Sequence, residues 1–229
     1  VDDDAGASYE THLETALGDN GYSARVWDAN AKGRPDLTEL SSYWTVLWTT
    51  ANADGSSIDT DDENNMMAYL DGGGNLMLAS MEYLSSRVDT SAFVTDYLHI
   101  DSWVSDNGGF VMTGGGSDAV WDAMPLMLLG GPFPPTNSDA MTVTSPADVM
   151  FTSPPGNKGL TVGEDDHKIV FMSFPFEDVK TAEADPSNQR TLLSRILSWF
   201  ELPSGVEDGD IHRLALGQNF PNPFNPVTR

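Results

Sequence analysis

Hydrophobic residues along the chain follow two spacings, which predict helices and strands in turn. Residues 7–22 carry apolar side chains three or four positions apart and stop at two glycines, which is typical of an amphipathic helix. Residues 188–202 repeat this spacing and predict a second helix. Residues 44–50 and 167–174 are continuous apolar runs rich in β-branched and aromatic residues, which favour strands buried on both faces. Residues 23–29 predict one further strand.

Residues 60–79 give the clearest unit of this pattern. Thr60 and Glu63 have the spacing of a helix capping box, and three glycines at 72–74 end the helix before an apolar strand at 75–79. A helix, a glycine stop and a buried strand make half of a βαβ unit. Because strands and helices alternate in this way, the sequence predicts an α/β protein with a doubly wound, mostly parallel sheet covered on both faces.

Two regions depart from the regular alternation. Residues 101–165 are rich in Gly, Pro, Ser and Asp and hold only short strand-like pieces, so we expect a β-rich, loop-rich insertion at the edge or top of the sheet. At the start, Val1 is the only apolar residue before three aspartates. We interpret residues 1–4 as the end of a truncated first strand, and we expect the chain to begin inside a longer precursor or after processing.

Composition and charge exclude several functions. The 229 residues are 39% hydrophobic, enough for one large domain, and the absence of cysteine excludes disulfides and thiol nucleophiles. With 11 basic and 35 acidic residues the net charge is −24, which argues against nucleic acid or an anionic membrane as partner. No run approaches the roughly 18 apolar residues of a membrane-spanning helix. Two interpretations of the acidity stay open: a strongly solvated surface, or aspartate clusters that hold calcium.

Several stretches resemble a known superfamily. VDDDAGASYETHLETAL, AYLDGGGNLMLAS, TDYLHIDSWVSDNGG and KIVFMSFPFEDV, followed by the last helix, resemble the class I glutamine amidotransferase-like superfamily, whose architecture is flavodoxin-like. The resemblance is closer to a non-catalytic branch that occurs as a module in large secreted bacterial proteins, some of them immune inhibitor A-type metallopeptidases. It covers residues 1–202 and implies one amidotransferase-like domain there.

The last residues resemble a different family. LGQNFPNPFNPVTR is similar to the start of the C-terminal sorting domain used in type IX secretion; the matching residues are Gln218, Asn219, Pro221, Asn222, Pro223, Asn225 and Pro226. Proline disfavours helix in the residue before it, so this stretch predicts an extended path. With a polar linker at 203–213, the resemblance implies an incomplete β-sandwich at 214–229, export by the type IX machinery, and an extracellular or cell-surface location.

Catalytic members of the amidotransferase-like superfamily carry a cysteine on a sharp turn after a central strand, and a histidine and a glutamate after a later strand. The resemblance places Ser80, Met81 and Glu82 at the first turn, and Pro175 and Glu177 at the second, where relatives have His-Pro-Glu. The nucleophile and the imidazole are therefore both missing. Without them neither glutamine hydrolysis nor related cysteine chemistry can operate, so we expect a degenerate site and no enzyme activity.

Two other kinds of chemistry depend on residues near these turns. Of the four histidines, only His99 is placed where it can approach Ser80 as a base. Asp2, Asp3 and Asp4 follow the first strand at the edge where such sheets bind ligands, and Glu82 and Glu177 follow their own strands on the same side. These carboxylates predict a calcium site, against the alternative that they cap a helix or face water. No other cofactor is expected.

The leading hypothesis is a non-catalytic structural or interaction module of a secreted or surface-attached multidomain bacterial protein. Three alternatives stay open. The chain is an accessory domain of a secreted metallopeptidase or other hydrolase; or a module that binds surface polysaccharide through Trp103, Trp121 and Phe133; or a self-assembling subunit of a surface layer or filament, joined by strand addition. The remaining tryptophans considered, Trp44, Trp48 and Trp199, are predicted to be core residues.

Overall fold

In a computed structural model, the chain folds into a single mixed sheet with helices on both faces. The sorting-domain motif and the linker before it lie outside the described residues. The structure describes residues 1–53, 57–86, 90–116, 120–122, 124–127, 131–133, 137–154, 156–164 and 166–201.

The helices are α1 (Glu10–Asp19), α2 (Ala29–Lys32), α3 (Leu37–Leu40), α4 (Thr60–Asp71) and α5 (Gln189–Glu201). The strands are β1 (Thr45–Ala51), β2 (Asn75–Ser80), β3 (Ile100–Val104), β4 (Val111–Gly114), β5 (Pro125–Met127), β6 (Ala140–Val143), β7 (Asp148–Ser153), β8 (Gly156–Gly163) and β9 (Lys168–Met172). A π-helical turn spans Phe93–Tyr97 and a 3₁₀ turn spans Phe176–Asp178.

One half of the sheet is parallel, as the apolar runs predicted. The strand order is β1-β2-β9, and Thr49 pairs with Ala79, which in turn pairs with Met172. Helices α1 and α5 cover one face of these strands and share one apolar core. Helix α4 covers the other face, over a second apolar core. The predicted doubly wound α/β arrangement is therefore confirmed. None of the described helices is both long and apolar enough to cross a membrane.

The first strand is reduced to one bridged residue. Asp2 makes parallel bridges to Thr49 on one side and Asp28 on the other. The predicted strand at 23–29 is not a regular strand: its contact with the sheet consists of the Asp2 N–H donating to the Trp27 carbonyl and the Ala29 N–H donating to the Asp2 carbonyl, both at 2.9 Å. A partner with a single bridged residue offers too few hydrogen bonds to form a longer ladder.

The other half of the sheet is antiparallel. From β9 the order continues as β8-β7-β4-β5, with β3 and β6 paired alongside. The region predicted as a β-rich insertion therefore extends the main sheet instead of forming a separate layer. Its longest strand, β8, was not predicted, because the Gly, Asn and Lys at its start are poor strand formers.

The N-cap of helix α4 lies one residue before the predicted one, Thr60. The cap is Asp59, whose Oδ1 accepts hydrogen bonds from the Asp61 and Asp62 N–H groups, while the Asp62 carboxylate accepts one from the Asp59 N–H. The helix ends at the predicted glycines. A Cβ at Gly74 would lie 2.2 Å from the ring of Tyr69, so only glycine fits there.

Candidate functional site

Ser80, at the position that resembles the family nucleophile, is the last residue of β2 and is buried. Its Oγ accepts a hydrogen bond of 2.7 Å from the Thr50 hydroxyl at the end of β1. A serine nucleophile needs a base to take its proton, and Thr50 cannot act as one. Among the described residues, no hydrogen bond joins Ser80 to a histidine or a carboxylate.

Apolar side chains fill the space next to Ser80. Met81 and Phe133 are buried and pack with Ala51, and the ring of Tyr9 meets Phe133 edge-to-face at a centroid distance of 4.8 Å. Segment 131–133 lies close against the later turn, because a Cβ at Gly131 would be 2.2 Å from Asp178 Oδ1. Ala51, the β1 partner of Ser80, therefore packs in an apolar cluster with Met81 and Phe133.

The turn after β9 holds two buried carboxylates. Glu177 Oε1 accepts a hydrogen bond of 2.8 Å from the Thr49 hydroxyl, and its Oε2 is buried without a partner. Burial, with a smaller contribution from the charges of Asp178 and Asp4, raises the pKa of Glu177 to about 7. Asp178 accepts from the Phe133 N–H at 3.0 Å, and burial raises its pKa to about 6. Pro175 opens this turn and is also buried.

Two of the three N-terminal aspartates lie together, with a third carboxylate that the sequence did not indicate. Asp2, Asp4 and Glu10 each offer an oxygen within 4.8 Å of the others. Asp4 also orders the loop before α1, because its carboxylate accepts from the Gly6 and Tyr9 N–H groups, each at 3.1 Å. We name Asp2, Asp4 and Glu10 the N-terminal carboxylate cluster.

Burial is the main reason that the pKa of Asp2 rises to about 7, and the neighbouring charges of Asp4, Glu10 and Asp28 raise it further. Asp3 points elsewhere: it accepts a hydrogen bond from the Trp48 indole at 3.3 Å, and burial raises its pKa to about 6. Neighbouring residues on a strand face opposite sides of the sheet, which explains why Asp3 is separated from Asp2 and Asp4.

Glu82 also lies outside the N-terminal carboxylate cluster. Its Oε2 accepts from the Ser85 hydroxyl at 2.7 Å and its Oε1 from the Asn137 amide at 3.3 Å. These bonds hold the turn after β2 against segment 137–139. Of the five carboxylates predicted to converge, the structure therefore brings together Asp2 and Asp4, with Glu177 electrostatically close to Asp4.

The described histidines make other contacts. His99 Nε2 lies 3.5 Å from a Glu164 carboxylate oxygen, and His167 Nδ1 lies 2.9 Å from Asp166. His12 Nδ1 lies 3.0 Å from the Gln189 side-chain nitrogen. Glu164, Asp166 and His167 form a second group close enough to hold a cation, in the β8–β9 connection at the amino end of β9. His99, the histidine considered as a base for Ser80, thus lies beside Glu164.

A cavity of about 330 Å³ opens beside β1, the terminal strand of the sheet. It runs between β1 and segment 22–27, and its apolar lining includes Val26, Leu47 and Leu197. Asp2 and Glu10 line the same cavity, so the N-terminal carboxylate cluster borders space that water can enter.

A second buried charged site lies in the antiparallel half and was not indicated by the sequence. The Asp139 carboxylate accepts from the Ser85 N–H at 2.8 Å and the Asp106 N–H at 3.1 Å. Burial raises the pKa of Asp139 to about 7 and lowers that of nearby Lys158 to about 8. The Lys158 ammonium donates to the Ser138 carbonyl at 2.9 Å. The available signal was a lysine within a short run of glycine, apolar and uncharged polar residues.

The aromatic residues differ from prediction at one position. Trp48 and Trp199 are core residues as predicted, but Trp44 is 73% exposed beside the cavity, because its strand starts only at the next residue. Trp121 and Phe133 are buried, and Trp103 is half-buried against the core. The three aromatics considered for stacking on a sugar therefore do not form an exposed platform.

Solved structures share this fold. A cytoplasmic protein from Salmonella typhimurium matches with a TM-score of 0.59 at 12% identity, over 82% of this chain and 86% of that one. A protein described as a GMP synthase subunit, from Thermoplasma acidophilum, matches with a TM-score of 0.56 at 11% identity, over 86% and 90%. A ThuA-like protein from Bacteroides uniformis matches with a TM-score of 0.50 at 10% identity, over 83% and 81%.

These likenesses define the class of protein: an α/β chain with the fold seen in ThuA-like and GMP synthase subunit-like proteins. The glutamine amidotransferase-like fold that the sequence resemblance implied is therefore confirmed at the level of fold. No model of a protein family matches the chain, and no curated protein matches it either.

Proposed function

We propose that this chain is a non-catalytic interaction module of a secreted, multidomain bacterial protein. The observation that carries the proposal is the state of the nucleophile position, where Ser80 is buried and bonded to Thr50 beside an apolar cluster that includes Met81 and Phe133. A substrate carbonyl needs an open pocket, a nucleophile and a base. Here Ser80 is only 2% exposed, and within the described residues no hydrogen bond joins its hydroxyl to a base.

The test is an activity assay on the purified chain with glutamine and with p-nitrophenyl esters. We expect wild type and Ser80→Ala to release ammonia or nitrophenol at the same rate as buffer. Glu177→Gln serves as a matched control, because it removes the buried acid bonded to Thr49 while leaving Ser80 in place. An activity that Ser80→Ala abolishes would overturn the proposal.

Export through the type IX pathway is the second part of the proposal. It is supported by the resemblance of the final residues to the start of a sorting domain. In a bacterium with a type IX system, the complete parent protein should reach the medium or cell surface. Deletion of its sequence from residue 214 onward should leave it in the periplasm. Export that is unaffected by the deletion would contradict this part.

Self-assembly by strand addition is a second candidate, favoured by the cavity beside β1. That edge of β1 pairs within the described residues only with the short segment around Asp2. An added extended strand would satisfy its free backbone groups and cover the apolar lining. Sedimentation at high salt should then show concentration-dependent association that Leu47→Lys removes. Val111→Lys, on an exposed residue of β4, should leave the association unchanged.

A glycan-binding role is less well supported, since Trp121 and Phe133 are buried. A role beside a secreted peptidase depends on the parent gene, and an H-E-x-x-H segment encoded upstream would favour it.

A further inference from the structure

The N-terminal carboxylate cluster places like charges close together. Its oxygens lie within 4.8 Å of one another, and the charges of Asp4, Glu10 and Asp28 all raise the pKa of Asp2. The base that acts on Asp2 is the Val1 amino group, whose pKa burial lowers to about 6. Like charges at this separation repel strongly when they are shielded from water. Such an arrangement is stable when protons or a cation neutralise part of the charge.

Buried oxygens in and beside the cluster lack hydrogen-bond donors. Asp2 is 7% exposed, and its Oδ1 has no partner; Glu10 Oε2 is also buried without one. Glu177, which is 1% exposed and electrostatically coupled to Asp4, has an unpartnered Oε2 as well. Buried carboxylate oxygens normally accept hydrogen bonds, so the unpartnered oxygens of Asp2 and Glu10 within the cluster point to a positive ligand.

We propose that Asp2, Asp4 and Glu10 bind a calcium ion at the carboxyl end of the parallel strands. The donors are all carboxylate oxygens, which suit hard divalent cations and not zinc or copper. The cluster borders the cavity beside β1, so water can complete the coordination shell. Calcium accepts irregular sets of six to eight oxygens, whereas magnesium requires near-octahedral geometry at short distances.

The site has a structural consequence for the N-terminus. Asp2 belongs to the reduced first strand, Asp4 to the loop and Glu10 to the first turn of α1. One ion bound to all three would fix the strand, the loop and the helix relative to one another. This role is independent of the enzymatic and export aspects of the proposed function.

The test is calorimetric titration of calcium chloride into the whole chain after removal of metal with EGTA, in about 0.3 M NaCl to screen surface charge. The double variant Asp2→Asn/Glu10→Gln removes two ligands. Glu164→Gln/Asp166→Asn is the matched control, because it removes two acids from the second acidic group. We expect one saturable site in wild type, at least tenfold weaker in the first variant and within twofold of wild type in the control.

A thermal measurement supports the titration. Saturating calcium should raise the Tm of wild type and of the control variant by about 2–5 °C and leave the ligand variant unchanged. If the double variant fails to fold, Glu10→Gln alone, on a half-buried helix position, replaces it. The proposal is overturned if wild type shows no saturable calcium site, which would mean that protons neutralise the cluster. It is also overturned if magnesium binds as tightly, or if the control variant loses the site.

Discussion

The molecule contains two groups of buried carboxylates that are held in opposite ways. In the antiparallel half, Asp139 is surrounded by donors: two backbone N–H groups bond to its oxygens, and the Lys158 ammonium is nearby. In the parallel half, Asp4 also accepts from two backbone N–H groups, but the charges of other acids act on Asp2, and Asp2 Oδ1 and Glu10 Oε2 have no donor. A carboxylate with donors stabilises the fold, whereas one without them requires a ligand.

The largest expected effect on the free energy of unfolding comes from removing the Asp139 carboxylate. Asp139→Ala would leave the Ser85 and Asp106 N–H groups without acceptors and remove the nearest counter-charge of Lys158. We expect a loss of about 2–4 kcal/mol in the free energy of unfolding, measured by urea denaturation. Asp101→Ala, on an exposed residue of β3, should change it by less than about 0.5 kcal/mol. A loss under about 1 kcal/mol for Asp139→Ala would remove the contrast between the two groups.

Lys158 should give the stability of the antiparallel half a distinct pH dependence. Burial lowers its pKa to about 8 in the folded chain from 10.5, so the folded state releases this proton first. The cost of burying the charge is therefore fully present below about pH 8 and disappears as the pH rises toward 10.5. The free energy of unfolding of wild type should rise relative to Lys158→Met by roughly 1–3 kcal/mol across this window. Parallel curves for the two proteins would contradict the assignment.

Asp2→Asn should stabilise the fold, whereas Asp139→Ala should destabilise it. With calcium removed, it takes one charge from the N-terminal carboxylate cluster and supplies an amide that can donate to a neighbouring carboxylate. We expect the free energy of unfolding in EGTA to increase by about 1 kcal/mol. A decrease would show that Asp2 is held by donors after all, as Asp139 is.

The smallest effect is expected at the second acidic group. The side chains of Glu164 and Asp166 are 40% and 62% exposed, and water screens their charges. Glu164→Gln/Asp166→Asn should change the free energy of unfolding by less than about 0.5 kcal/mol. A larger change would mean that these exposed acids affect stability as much as the buried carboxylates do.

The fold could be predicted where burial alone decides the structure. Strands β1, β2 and β9 are covered on both faces, so their apolar runs appear directly in the sequence. The segment at 23–29 has a similar pattern but not a long enough partner, and partner length depends on tertiary structure. Strand β8 was missed because its pairing with β7 and β9 outweighs the weak strand preference of its first residues.

The candidate site could be predicted only in part. The aspartates at the end of the first strand indicated the correct edge of the sheet, since parallel strands end there together. Period-two alternation along the strand would have separated Asp3 from Asp2 and Asp4. Glu10 was not indicated, because its approach depends on how α1 packs, and no local spacing records that packing. The packing of Phe133 with Ala51 and Met81 likewise joins distant parts of the chain.

Strand β9 is hydrogen-bonded to β2 along one edge and to β8 along the other, over nearly its whole length on both sides. The parallel and antiparallel halves therefore cannot unfold independently, since unfolding either one exposes an edge of β9, the strand they share. We therefore expect heat or denaturant to unfold the domain in a single two-state transition, in which the calorimetric and van't Hoff enthalpies agree.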